Sequence, residues 1–385
     1  MDILCLALFW FTLGVIAYTY AGYPLVIWLL ARLIPRPVRT ADDYLPTVTV
    51  LVAAYNEADC IATKIEDTLN LDYPLERLEV AIVTDGSTDH TPAIVATYAA
   101  RYPRVRLLHR PQRQGKAAAL ARGVSRTGGE VILFTDANTH LPQDTLRRLV
   151  RYFADPEVGG ASGAKRIVRP GESAAGQGES FYWRYESFLK RCDSAVSSVM
   201  GVPGEVWAAR RAAYEPPEPD ILLDDFVGSL RMVEAGWRVV YDPEVVAYEE
   251  ASPSVGAEWR RRARNAAGGW QAFFRLPLMR HHERRLITFQ YISHRILRWM
   301  VAPFLFPLLL LANYGLLARP FYMVTMGMQA LFYFLALVGW LLAIWRRPPR
   351  WLVLPFYLCL LNVAALVGGW RYLRKSQSVL WEKVR

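Results

Sequence analysis

Four stretches of this chain, residues 3–31, 299–318, 320–345 and 351–370, contain no Asp, Glu, Lys or Arg. No other feature constrains the fold as strongly. A charge-free run of about 20 residues is long enough to cross the roughly 30 Å hydrocarbon layer as a helix. The apolar fraction of 53% exceeds that of an ordinary soluble domain, and the excess is concentrated in these runs. The block between the first and second runs reads as soluble protein. The chain therefore reads as a membrane protein with a globular insert.

A cleavable leader is the alternative for the first run. It is disfavoured because the chain begins Met-Asp without a basic n-region and the run is too long. Arg32, Arg36 and Arg39 follow this run, and nothing basic precedes it. Cytoplasmic flanks are enriched in Lys and Arg, which places the N-terminus outside and the globular block in the cytoplasm, beneath the inner (plasma) membrane. Arg319 alone separates the second and third runs, while Arg346, Arg347 and Arg350 follow the third. Both counts agree with that orientation.

The cysteines, Cys5, Cys60, Cys192 and Cys359, are scattered and form neither a metal-ligand spacing nor a disulfide framework. The net charge of +10 is also localised. Residues 260–298 carry ten Arg against one acid, Glu283. This belt precedes a membrane run and is interleaved with Trp270, Phe273, Phe274 and Tyr291. Such a segment is expected to lie on an anionic leaflet or to face a phosphorylated ligand. Nucleic acid is not the expected partner, because the basic residues cluster at the membrane and not on the globular block.

From residue 47 onward, β-branched apolar segments alternate with segments of helical spacing. "TVTVLVAAYN", "LEVAIVTD", "VRLLHR" and "GEVILFTD" read as strands, with helices between and after them. That alternation predicts an α/β domain with a mostly parallel sheet covered on both faces. In open sheets of this kind ligands bind beyond the carboxyl ends of the strands. Polar clusters stand at those ends: "YNEA" (55–58), "TDGSTD" (84–89), "RPQRQGK" (110–116) and "TDANT" (135–139). One crevice is thereby expected to collect Glu57, Asp85, Lys116 and Asp136.

Neither G-x-x-x-x-G-K-[ST] nor a G-x-G-x-x-G after the first strand is present, which disfavours a P-loop ATPase and a NAD dehydrogenase. Phosphates must be held another way, and a divalent cation, Mg²⁺ or Mn²⁺, is the natural alternative. Asp136, with Asn138 or water completing the shell, can bridge a diphosphate to such an ion. Taken alone, Asp136 also suits a turn or helix N-cap before "LPQDTL".

In this order "AAYNEA", "TDGSTD", "GKAAAL", "TDANT", "LLDDF" and "RRRARNAAGGWQ" resemble the family-2 glycosyltransferases, in particular the membrane-embedded cellulose, chitin and hyaluronan synthase superfamily. The resemblance covers nearly the whole chain. It implies a GT-A (nucleotide-diphosphosugar transferase) domain at 45–258, behind an anchor at 1–33. Arg-rich interfacial helices would follow at 259–297, two transmembrane helices at 298–346, and an interfacial or re-entrant segment at 351–385. It further implies that Glu57 and Asp85, with Tyr55 in the same loop as Glu57, hold the nucleoside of a UDP-sugar. Lys116 then lies beside the donor and Asp136 on the metal, while Asn138 stands where many relatives carry a second Asp. The acidic pair Asp224–Asp225 supplies the catalytic base, assigned to Asp225.

These residue types suit the chemistry. A carboxylate within hydrogen-bond reach takes the proton of a sugar hydroxyl as it attacks the anomeric carbon. A neighbouring carboxylate raises the pKa of that base toward neutrality. A single base opposite the leaving group implies inversion, hence a β-linked product from an α-linked donor. The pair also suits a helix N-terminus before "FVGSLRMVEAG", a role compatible with the first. "RRRARNAAGGWQ" resembles the family's Gln-(Gln/Arg)-x-Arg-Trp signature, with Arg261, Arg262 and Arg264 available to grip the diphosphate. Asn265 replaces the Trp that stacks on the acceptor in polymerising relatives, and Trp270 or Trp183 is the substitute. "SVMGVPGEVWAARR" (198–211) resembles the acceptor-proximal loop, where Gly201 and Gly204 admit close backbone approach.

The tail resembles the surface-lying, Trp-containing gating segment of hyaluronan synthases, which implies Trp381 near the nucleotide. A fourth spanning helix is the alternative, although it would place Arg371, Arg374 and Lys375 outside. Two activities are expected from the whole: synthesis of a β-linked exported polysaccharide from UDP-glucose or UDP-N-acetylglucosamine, or transfer of one sugar to a lipid or polyprenyl phosphate. Export through so few spans calls for a second protomer or a partner protein. A membrane-anchored nucleotide or glycan sensor is the non-enzymatic alternative, and it would not need both Asp136 and Asp225.

Overall fold

The computed structural model describes residues 2–168, 173–276, 285–345 and 348–380. Seven strands form one sheet: β1 (Val48–Ala54), β2 (Leu78–Asp85), β3 (Val105–Arg110), β4 (Val131–Phe134), β5 (Val158–Val168), β6 (Trp207–Arg210) and β7 (Arg238–Glu250), in the order β3-β2-β1-β4-β6-β5-β7. The pairs β2–β3, β1–β2, β1–β4 and β5–β7 are parallel, and β6 runs antiparallel to both β4 and β5. Strand β6 lies inside the stretch read from sequence as an acceptor loop (198–211), so the loop ends before Trp207. The expected four-strand parallel unit is present, extended by a segment that the alternation of strands and helices did not reveal.

The helices are α1 (Asp2–Ala17), α2 (Tyr23–Leu33), α3 (Ile61–Leu69), α4 (Thr91–Arg101), α5 (Lys116–Arg126), α6 (Thr145–Val150), α7 (Ala174–Val196), α8 (Asp224–Glu234), α9 (Val255–Arg275), α10 (Arg285–Tyr291), α11 (Ala302–Tyr314), α12 (Pro320–Trp345) and α13 (Arg350–Leu373). Alternate side chains of a strand point to opposite faces. Val50, Val52 and Ile82 accordingly pack on one side with Ile61 and Ile65 of α3, Val95 of α4 and Leu146 of α6. Leu51, Ala81 and Val83 pack on the other side with Leu120 of α5 and Phe226 and Leu230 of α8. A Cβ at Gly123 would stand 2.4 Å from Leu51, so α5 sits closer to the sheet than any other residue there allows.

Among the described residues, four helical segments, Asp2–Leu33, Arg285–Tyr314, Pro320–Ile344 and Arg350–Leu373, are long and apolar enough to cross a membrane, by length and composition. The second begins 14 residues before its charge-free run and passes through a π-helical stretch, Ile292–Val301. Arg295 and Arg298 therefore stand at the foot of a long apolar helix, not on a separate interfacial one. Helix α13 differs from α12: 61% of its apolar window is buried within the protein, against 11%.

Helix α13 runs parallel to α9. Tyr357 donates to Glu258 at 2.5 Å, Gly368 packs on Ala263 and Ala267, and Tyr372 stacks on Phe274. A Cβ at Gly368 would lie 2.4 Å from the Ala263 carbonyl, so small residues set the spacing of this seam. Among the described residues, five arginines of the belt are paired with acids here or nearby. Arg261 meets Glu179 and Glu258, Arg262 meets Glu258, and Arg275 meets Asp220. For these arginines the leaflet-facing alternative does not hold: the neutralising acids lie outside the window in which the arginines were counted.

Candidate active site

Because β1, β2 and β4 are parallel neighbours, their carboxyl ends open along one edge of the sheet, and the loops that follow bind one another. Asn56 adopts a left-handed conformation (φ 55°). Its backbone N–H donates to Ser87 Oγ and its side-chain oxygen accepts from Thr88 N at 2.8 Å. Glu57 N donates to Thr91 Oγ1 and Ala58 N to Asp89. The "YNEA" and "STDHT" loops are thus held together as one wall. Tyr55 lies on that wall, its ring covered by the Arg113 guanidinium at 3.6 Å.

Asp85 is buried and turned toward the protein. Its Oδ2 accepts from Gln114 N at 2.8 Å and Gly115 N at 2.7 Å, and its Oδ1 stands 3.4 Å from Arg122. The carboxylate therefore shapes the 111–115 loop and aims α5, at whose first position Lys116 sits. Gly115 takes φ +99° in that turn, and its Cα faces Val379 and Leu380 of the C-terminal segment. Trp381 itself lies outside the described residues.

Lys116 is the centre of the crevice. Its Nζ donates to Asp136 Oδ1 at 2.7 Å. Burial disfavours the ammonium, but Asp136, Asp224 and Asp225 outweigh it and hold the group protonated well above its ordinary range. Asp224 and Asp225 open α8, as the sequence predicts for an acidic helix N-terminus. Burial, and then the adjacent Asp224, push Asp225 up to about 7, while Lys116 and the Phe226 N–H oppose the rise. Gly204 lies against this pair: a Cβ there would be 3.1 Å from Asp225 Oδ2 and 3.6 Å from Lys116 Nζ. Gly201 has φ +91°, and a Cβ would strike the Phe226 ring at 2.2 Å. Asp136, Lys116, Gly204, Asp224 and Asp225 are therefore brought together from four segments.

The expected arginines separate. Arg264 reaches the site, donating to the carbonyls of Leu222 and Val379. Its Nη1 is buried without a hydrogen-bond partner among the described residues. Burial lowers its pKa and Asp224 and Asp225 oppose that shift, so its charge faces the acidic pair. Arg261 and Arg262 are turned to Glu179 and Glu258, and Arg262 lies 4.0 Å over the Tyr182 ring. Trp270 is packed into the α9–α13 seam, where a Cβ on Gly369 would meet its indole nitrogen at 2.8 Å.

A chain of charge missed by the sequence reading leads from the Asp136–Asn138 loop to Asp225. Asn138 Nδ2 donates to Glu249 at 2.9 Å, Glu249 pairs with Lys165, and Lys165 Nζ lies 2.6 Å from Glu205. The Glu205 charge in turn raises the pKa of Asp225. The available signal was a Lys and a Glu inside the apolar segments that became β5 and β7.

Among the described residues no three His, Cys, Asp or Glu side chains gather as a self-sufficient metal cage. The donor set fits a shared ion instead. Asp136 has one oxygen on Lys116, its second takes no described hydrogen bond, and Asn138 keeps its carbonyl oxygen. A hard cation that takes one or two protein oxygens and fills its shell with phosphate and water suits that set.

A seven-stranded sheet of this topology with an acidic crevice at its carboxyl edge is a GT-A fold, the α/β architecture of nucleotide-sugar glycosyltransferases. Residues 49–215 match the model of glycosyl transferase family 2. It is 29% identical over 233 residues to the beta-monoglucosyldiacylglycerol synthase of Synechocystis sp., covering 59% of this chain and 49% of the relative. It is 26% identical over 238 residues to the poly-beta-1,6-N-acetyl-D-glucosamine synthase of Staphylococcus aureus, covering 60% and 57%. The chain spans about half the length of these curated relatives. Among solved structures, the mannosyltransferase PcManGT of Pyrobaculum calidifontis, in complex with GDP-Man and Mn²⁺, superposes with a TM-score of 0.74 at 24% identity, covering 98% of this chain and 99% of that one.

Proposed function

We propose that this chain is a membrane-embedded, cellulose-synthase-like inverting glycosyltransferase that uses a nucleotide-diphosphosugar. The observation that carries the reading is the joint placement of a base and an electrophile site. Asp225, pushed up to about 7, faces the same crevice as the Lys116–Asp136 pair. In the reaction the acceptor O–H gives its proton to Asp225 as its oxygen bonds to the anomeric carbon. The bond from that carbon to the diphosphate breaks on the opposite face, and the nucleoside diphosphate leaves with the electron pair. Lys116 and Arg264 offer positive charge to the leaving diphosphate. Mg²⁺ or Mn²⁺, held by Asp136 and the Asn138 carbonyl oxygen, supplies further charge neutralisation when bound. Tyr55, Glu57 and the loop shaped by Asp85 form the nucleoside side of the crevice, with the segment leading to Trp381 closing over it.

The crevice belongs to the cytoplasmic face of the plasma membrane, with Asp2–Leu33, Arg285–Tyr314 and Pro320–Ile344 as spans. Helix α13 is read as interfacial, because it lies along α9, whose arginines bar it from the hydrocarbon. The donor is a UDP-hexose or UDP-N-acetylhexosamine, in line with the polysaccharide and glycolipid synthases to which the chain is similar. The product is a β-linked glycan. Transfer of one sugar to a lipid is the second reading, favoured by Asn265 in place of the stacking Trp and by the packing of the half-buried Trp270 into a helix seam. The deciding experiment presents UDP-glucose, UDP-N-acetylglucosamine, UDP-galactose, UDP-glucuronate and GDP-mannose to the purified chain with and without Mn²⁺. Nucleotide release from one UDP-sugar supports the donor assignment, release from GDP-mannose alone corrects it, and release from none overturns the reading. Product length, a ladder or one species, then separates polymer from glycolipid.

A further inference from the structure

Helix α3 turns Ile61, Lys64, Ile65 and Thr68 inward. That spacing is the buried stripe of an amphipathic helix, and a lysine stands in the middle of it. Lys64 is 2% exposed, a place where lysine is rare unless its nitrogen is answered. Its Nζ donates to Thr135 Oγ1 at 2.8 Å and to the Thr139 carbonyl at 2.7 Å. Burial pushes the group down to about 7, while Asp136 and then Asp67 favour its charged form. Charged or neutral, the amine nitrogen keeps the two donors that these contacts use.

Thr135 and Thr139 bracket the loop that carries Asp136 and Asn138, and both are buried. Strand β4 ends at Phe134, and His140 forms a bridge with Tyr248. In the span between them, Thr139 N closes a turn on the Asp136 carbonyl at 3.2 Å. The side chains of Asp136 and Asn138 are engaged elsewhere, by Lys116 and Glu249. Lys64 ties both ends of the span to one nitrogen. Its own helix is rooted in the "YNEA" loop, because Cys60 N and Ile61 N donate to the Glu57 carbonyl and Lys64 N to the Cys60 carbonyl. One helical turn thus joins the wall that carries Tyr55 and Glu57 to the loop that carries Asp136.

We propose that Lys64 is a positioning residue for the cation of the crevice. It touches neither the ion nor the donor. By pinning Thr135 and Thr139 it fixes the backbone between them, so that the open oxygen of Asp136 and the amide oxygen of Asn138 are presented together. The proposal rests on the cation–diphosphate reading of the crevice and names the residue that gives its loop one shape. Partners that orient a metal ligand from outside typically carry about 10–100-fold of metal affinity. A lysine that only filled the core would be exchangeable for methionine without effect on the metal.

The test titrates the full chain in non-ionic detergent with Mn²⁺, in the presence of UDP or GDP. Free Mn²⁺ is read by electron paramagnetic resonance against a protein-free titration, so no turnover is needed. Lys64→Met fills a similar volume without a donor and should weaken Mn²⁺ uptake at least about tenfold. Thr135→Val removes one acceptor and should weaken it about threefold, whereas Thr135→Ser keeps the oxygen and should stay within about twofold of the parent. Because lysine and threonine act through one contact, the double variant Lys64→Met, Thr135→Val should bind no worse than Lys64→Met alone. Parental uptake by Lys64→Met, or additive losses in the double variant, overturns the proposal. If Lys64→Met does not fold, equal affinity in Thr135→Val and Thr135→Ser overturns it, and a weaker Thr135→Val supports it. No uptake by the unaltered chain with either nucleotide removes the cation reading, and this role with it. Uptake that depends on Lys64, without nucleotide release from any sugar nucleotide, supports the role and removes the transferase reading instead.

Discussion

The crevice at the sheet edge and the seam between α7 and the π-helical stretch use the same side chains to opposite effect. In the crevice, Asp136, Asp224 and Asp225 surround Lys116, and the acids are in excess. In the seam, Arg295, Arg298 and Lys190 surround Glu186, and Asp193, Glu205 and Asp225 balance them. A buried cluster with a surplus of one sign is stable only when something of the other sign completes it. The acid surplus therefore leaves the crevice open to a positive partner, whereas the seam is compensated within the fold.

The largest effect should come from the base. Asp225→Asn is expected to lower transfer by about 10²–10⁴-fold, read as nucleotide release at saturating donor. Comparable turnover in this variant would remove the distinction between the two clusters. Next in size, Asp136→Ala should raise the Mn²⁺ concentration needed for half-maximal activity by at least about tenfold, on the scale of a lost metal ligand. A metal response identical to that of the unaltered chain would move the ion elsewhere.

Glu186→Gln should act on stability more than on chemistry. It strands Arg295, Arg298 and Lys190 without their carboxylate, at a cost of about 3–5 kcal/mol, measurable as a fall in Tm. A Tm within a degree of the parent would mean that the seam is more hydrated than its burial implies.

The pH dependence is a gentler probe. With Asp225 at about 7, kcat/KM should rise as pH passes from 6 to 8, because the carboxylate is the active form. The sign of the stability effect is the reverse. The folded carboxyl binds its proton more tightly than the unfolded one, so stability falls as pH rises from the ordinary carboxylate range through about 7. Asp225→Asn removes that dependence and should raise Tm by a few degrees above pH 7, together with its loss of activity. A flat Tm profile in both proteins would show that the carboxyl is not held protonated by the fold.

Much of the crevice was legible in the sequence because its parts are local. A strand that ends in "TDANT" or a helix that opens on Asp224–Asp225 states its own position, and parallel strands align their ends without further instruction. The apolar runs were legible for the same reason, since length and the absence of charge are properties of a segment. Strand β6 was not, because a short "WAAR" becomes central only through its partners on both sides. Lys165, Glu205 and Glu249 escaped for a related reason: their roles exist only in the contact among three elements distant in sequence.

The seam shows the limit most plainly. The acids at 179, 186 and 193 drew no reading from sequence, and the arginines at 295 and 298 were counted in a belt expected on an anionic leaflet or facing a phosphorylated ligand. Glu186 and Arg298 are 112 positions apart, and docking α7 against the foot of the apolar helix makes them partners. The sequence by itself determined the α/β alternation, the apolar helices and the acids at the strand ends, because each depends on periodicity or composition within one segment. Only the tertiary structure decided which arginines are spent on internal carboxylates and which keep unpaired donors, because electrostatic compensation is a property of neighbours in space.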